Sequence, residues 1–244
     1  MLQPSRLWRP RPTQWLVNGV LIISCLLTVP VFAQQESLGL WTGLATDVRL
    51  TKRLTLNANA QIRFSDNVQV TRAYLGELGV SYKINKHWEV AGYYRYTGRL
   101  KKNKETDTYY YRPYHRFYAE VSYEQKLGRR LELDYRLRYQ NQFKDDNDAV
   151  VADGSYLRNK LGLSYRTGTR ITPFVSADVF YRLGSSFDQV RYKAGVQVQL
   201  AKAHSVDLSL FKDVELNHSG EGSGPIIGVT YKLKLGRIGS KSKN

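Results

Sequence analysis

The chain has 244 residues, 42% of them apolar and 24% charged, and its 37 Lys+Arg against 21 Asp+Glu give a formal charge of +16. This excludes a helical multipass membrane protein, which needs several apolar runs of about 20 residues. The single Cys excludes an intrachain disulfide framework or a Cys-based zinc site, and 18 Tyr, 8 Phe and 4 Trp leave too much to bury for a disordered chain.

The first thirty-three residues read as an export signal. Arg6, Arg9 and Arg11 form a basic start, Trp15 to Phe32 is an apolar stretch, and Val31-Phe32-Ala33 places small residues for cleavage after Ala33. An uncleaved anchor is one alternative. A second is lipidation at Cys25, since Ile22-Ile23-Ser24-Cys25 fits a lipobox, although the chain stays apolar after the Cys. The expected division is therefore 1–33 as signal peptide and 34–244 as one domain.

Beyond residue 36 the pattern alternates, as in strands with two unlike faces. Eleven such segments follow, near 38–50, 53–65, 73–84, 87–99, 112–127, 130–143, 156–166, 171–183, 190–200, 204–215 and 225–235. In the sixth, Leu131, Leu133, Tyr135, Leu137 and Tyr139 oppose Glu132, Asp134, Arg136, Arg138 and Gln140. Most segments run 11–14 residues. Soluble strands average about 5–6, whereas a tilted strand crossing a bilayer needs about 9–11. Short connections such as Asn85-Lys86 and Gly128-Arg129 alternate with longer polar ones at Asp66–Arg72, Leu100–Tyr111, Lys144–Ser155, Gly184–Gln189 and Leu216–Gly224. Short turns on one rim and long loops on the other describe an outer-membrane barrel.

Alternation alone does not say which face meets water. Strand length, the export signal, Gly79, Gly162 and Gly195 on the polar face, and Tyr82, Trp88, Tyr165 and Tyr231 near strand ends on the apolar face all favour lipid outside. Open edges are not tolerated in lipid, so the sheet must close. The expected fold is all-β: a closed antiparallel up-and-down transmembrane β-barrel of about 10–12 strands. Both termini on the short-turn rim would require an even count.

Several stretches carry a family resemblance: Leu40-Trp41-Thr42, Gln61-Ile62-Arg63-Phe64, Gly92-Tyr93-Tyr94-Arg95-Tyr96, Arg136-Leu137-Arg138-Tyr139-Gln140, Tyr156–Leu161, Pro173–Tyr181 and Arg191–Val196. In their order along the chain they resemble an uncharacterised family of bacterial outer-membrane β-barrels, the domain of unknown function 2490. The resemblance implies fold and location and lends no activity. The chain departs from the family pattern at Asp178, where Glu is expected, and in its polar tail Arg237–Asn244.

With the polar face inward, the lumen is charged. The candidate lining residues for binding or conduction are Arg63, Arg95, Arg116, Glu120, Arg136, Arg138, Arg158, Asp178, Arg191 and Lys193. Acids and bases on adjacent strands can simply pair and fill a narrow barrel; the basic excess points instead to a small pore or cavity preferring anions. No catalytic residue, cofactor or metal is expected. A barrel-embedded lipid enzyme would need one of His87, His115, His204 or His218 to meet a Ser and an acid, and Ser209 and Asp207 near His204, or Ser219 beside His218, are the nearest candidates. The acids of Lys144–Asp153 lack the EF-hand pattern. A soluble periplasmic barrel holding an apolar ligand is the third alternative. Expected partners are outer-membrane lipid, lipopolysaccharide at the long loops, where Lys101, Lys102 and Lys104 precede Tyr109-Tyr110-Tyr111, and the barrel-assembly machinery, with no nucleic acid.

Overall fold

The computed structural model describes residues 37–146, 149–216 and 224–236. The expected export segment with its expected cleavage site and Cys25, together with Asp148, His218, Ser219 and the tail from Arg237, lies outside the described residues. The described residues form eleven strands: β1 (Gly39–Arg49), β2 (Leu54–Ser65), β3 (Val70–Lys83), β4 (Trp88–Lys102), β5 (Tyr109–Leu127), β6 (Leu131–Asp146), β7 (Ala149–Tyr165), β8 (Ile171–Arg182), β9 (Phe187–Ala201), β10 (His204–Glu215) and β11 (Ile226–Leu235).

Each strand pairs with its chain neighbours and the sheet closes into a barrel. Pairing is antiparallel at every seam but one. β1 and β11 run parallel, from Gly39 opposite Ile226 to Val48 opposite Leu235. An odd number of up-and-down strands obliges the first and last to point the same way, so the strand count falls within the expected range while one seam departs from the antiparallel rule. The two ends of the barrel chain consequently leave by different rims. β1 starts at the loop rim, where Gly39 N donates to Pro225 O at 3.0 Å, and β11 ends at the turn rim.

The turns are built locally. Thr51 Oγ1 accepts from Leu54 N at 2.9 Å, and Asn85 Oδ1 accepts from His87 N at 2.8 Å and Trp88 N at 2.9 Å, the side-chain turns that Thr and Asn favour. The opposite rim differs from expectation. Half of Leu100–Tyr111 and the described part of Lys144–Ser155 are strand, because β4 and β5 continue pairing to Lys102–Tyr109 and β6 and β7 to Asp146–Ala149. The ladder persists there after the apolar–polar alternation has ended, through Tyr109-Tyr110-Tyr111 and Ala149-Val150-Val151-Ala152. Bulges interrupt it there: Arg72, Asp153 and Asp188 are each the extra residue at a register shift. The one at Asp153 is followed by Gly154 at φ 127°, a conformation a side chain disfavours.

The faces sort as expected, with apolar side chains out and charged ones in. Leu78 is 60% exposed and Leu210 56%, while Arg138, Gln142 and Asp178 are buried. Tyr82 and Tyr74 bracket the outer face of β3 eight residues apart, roughly 26 Å along the strand and about 20 Å in height at ~40° tilt. At the turn rim Arg53 donates to Tyr82 Oη at 3.3 Å and Arg130 to Tyr165 Oη at 2.8 Å. Each bond holds the guanidinium above its ordinary pKa. Inside, space is short: a Cβ on Gly79 would strike the Tyr93 ring, which stacks on Tyr118 at 4.8 Å.

Candidate functional site

The strand register brings acids and bases together across the inner wall. Glu77 faces Arg95, Glu120 faces Arg138, and Arg191 faces Asp213. All three pairs are made: Arg95 to Glu77 at 2.5 Å, Arg138 Nη2 to Glu120 at 2.7 Å, and Arg191 to both Asp213 oxygens at 2.6 and 2.7 Å. Arg158 reaches diagonally to Asp178, the i, j±2 neighbour within reach of long side chains. Arg136 lies between Glu120 at 3.8 Å and Asp178 at 3.9 Å. Aromatic rings support the guanidinium faces, with Arg138 3.9 Å from the Tyr118 centroid and Arg158 3.9 Å from that of Phe180.

This layer is a waist between two cavities. The cavity toward the turn rim holds about 770 Å³ and is lined by both signs of charge. Within it Lys160 meets Asp134 at 3.6 Å and Arg166 meets Glu132. Lys232 meets Asp207, and Lys193 lies 5.7 Å from the Phe174 ring. The cavity toward the loop rim holds about 290 Å³ and is dominated by arginine. Arg158 and Arg191 line both.

In the smaller cavity Arg63, Arg99 and Arg116 have no carboxylate within 4 Å among the described residues. Arg63 lies flat on Trp41 at 3.6 Å and donates Nε to Gln61 Oε1 at 2.8 Å. Arg99 lies over Tyr114 at 4.6 Å. Arg116 donates Nε to Gln142 Oε1 at 3.1 Å, and Gln142 Nε2 is itself held by Asp153 at 2.5 Å. Neutral partners orient these guanidinium groups without cancelling their charge.

All ten expected lining residues therefore face the lumen. Arg95, Glu120, Arg136, Arg138, Arg158, Asp178 and Arg191 form the waist; Arg63 and Arg116 belong to the smaller cavity and Lys193 to the larger. Sequence reasoning overlooked Arg99, Trp41 and Asp213. Arg99 keeps the phase of Arg95, and Asp213 that of Asp207, and both fall inside the expected segments 87–99 and 204–215, so carrying the charged-face reading to the ends of those segments would have found both. The described histidines are dispersed. His204 bonds the Tyr231 hydroxyl, whereas Asp207 and Ser209 are buried on the opposite side of β10. His115 is held by Tyr94 Oη at 2.7 Å and Asp145 at 3.3 Å. Near the β6–β7 connection the acids meet bases, Asp146 with Arg112 at 3.8 Å and Asp153 with Lys144 at 3.5 Å. The charged inner wall is the reverse of what an apolar ligand in a soluble barrel would need.

No curated protein matches the chain. Among solved structures it is similar to the β-domain of the Bordetella autotransporter BrkA, at 12% identity over 76% of this chain and 83% of that one, with a TM-score of 0.44. Residues 38–223 match the family described as protein of unknown function DUF2490, more than half the chain, and the protein belongs to that family.

Proposed function

We propose that this protein is an outer-membrane barrel whose narrow, charged lumen admits small anions in preference to cations. The observation that carries the reading is the sorting of the wall: a closed sheet with large apolar side chains outward and, inward, an arginine surplus at Arg63, Arg99 and Arg116. A bilayer satisfies the outer surface, since closure leaves no unpaired strand edge in hydrocarbon. Fixed positive charge in a low-dielectric tube concentrates counter-ions of the opposite sign. The role is non-enzymatic. At the loop rim Lys101, Lys104 and the exposed ring of Tyr109 would contact lipopolysaccharide phosphates and sugars.

Fractionation combined with planar-bilayer recording tests this. The expected result is recovery with outer membranes, heat-modifiable gel mobility, and small conductance steps with a reversal potential favouring anions. Replacing Arg63 and Arg116 together by Gln should move that potential toward zero without loss of the folded band. Recovery in the soluble periplasm, or cation preference, would overturn the proposal.

A further inference from the structure

The smaller cavity has an incomplete set of hydrogen bonds. Arg158 is 8% exposed, its Nη2 is committed to Asp178, and its Nε has no partner among the described residues. Gln140 is 2% exposed and its Oε1 likewise lacks a partner. Both side chains line the cavity that Arg63, Arg99 and Arg116 enter. A buried donor or acceptor without a partner is costly, and native folds rarely leave one so.

The two orphans have opposite demands. The Arg158 Nε–H requires an acceptor; the Gln140 Oε1 requires a donor. Trp41 and Tyr114 lie against Arg63 and Arg99, and apart from the Arg63 Nε bond to Gln61 their N–H edges are left for planar contacts to oxygen. Asp188 in the same wall offsets only one of the three unmatched charges. A ligand answering all of these groups carries negative oxygens and a hydroxyl. The size of the cavity, about 290 Å³, lies at the lower edge of ordinary ligand pockets and restricts it to a small molecule.

We infer that the loop-rim cavity is a binding site for a small hydroxyl-bearing oxyanion of the phosphate or phosphate-monoester class, held by Arg63, Arg99, Arg116 and Arg158 Nε, with Gln140 Oε1 accepting from its hydroxyl. This rests on the anion-preferring reading of the lumen and names the ligand class. Sulfate, with similar size and charge but no hydroxyl near neutral pH, is the discriminating control. Trp41 beneath Arg63 is a built-in reporter.

Purified, folded barrel would be titrated with inorganic phosphate, glycerol 3-phosphate and sulfate by calorimetry. The emission change attributable to Trp41 would be isolated by comparison with Trp41→Phe. Saturable binding of phosphate or the monoester at least tenfold tighter than sulfate is expected, and the tighter of the two identifies the source. Arg63→Gln and Arg116→Gln should each weaken it at least tenfold, whereas Lys160→Gln in the other cavity should leave it unchanged. Circular dichroism and heat-modifiable mobility establish that each variant is folded. Absence of saturable binding, equal affinity for sulfate, or equal loss with Lys160→Gln would overturn the site. A barrel that prefers anions in recordings yet binds no phosphate would remove this inference alone.

Discussion

The two ends of the lumen handle charge differently. Toward the turn rim the space is wide and the acids and bases are partly wetted: Lys160 and Asp134, 3.6 Å apart, are 30% and 41% exposed. Toward the loop rim the space is less than half as large, the bases are held by glutamines and aromatic rings, and three of them meet no acid among the described residues. Water dissipates charge cheaply in the first region. In the second, a confined arginine surplus is a standing demand for a counter-charge, so the narrower end is where specificity for a ligand would reside.

The sharpest way to break this contrast is at the waist both regions share. Asp178→Asn should destabilise the barrel by about 3–5 kcal/mol, because it strands Arg158 and leaves Arg136 with Glu120 alone. Urea-dependent folding into bilayers measures this, and a loss below about 1 kcal/mol would mean that the waist is not a dry boundary. A smaller effect tests which side of the wall is which. Leu210→Arg near the middle of β10 should cost roughly 2–4 kcal/mol in the same assay, while Gln197→Arg, on the lumen side of the adjacent strand, should be tolerated. The smallest change belongs to the wide end. Asp134→Asn should lower stability by less than about 1 kcal/mol, as for exposed ion pairs generally, and leave anion preference unchanged or slightly raised.

Much of the architecture was legible because period-two alternation is a strong signal wherever the two faces meet different media. Leu133, Tyr135 and Leu137 against Asp134, Arg136 and Arg138 cannot be reconciled with a helix, and the same alternation placed all ten expected lining residues on the inner wall. Near the loop rim the apolar–polar alternation stops, as in Tyr109-Tyr110-Tyr111 and Ala149-Val150-Val151-Ala152, which hid Tyr109–Tyr111 and Ala149–Ser155 as strand. Gly79 was legible as a small residue in a crowded interior; that Tyr93 is what crowds it was not. The expected export segment and the residues around His218 lie outside the described structure.

Chain alternation by itself determined a β-rich wall with one greasy and one ionic face, the number of strands to within one, and ten residues of the lumen, since each is a local property of neighbours two apart. Only the tertiary structure decided that β1 and β11 close the barrel in parallel, that Arg158 answers Asp178 while Arg63, Arg99 and Arg116 meet no acid among the described residues, and that cavities of unlike charge lie on either side of the waist. Those features depend on register and closure, which bring residues from distant strands within a few ångströms and which no local periodicity encodes.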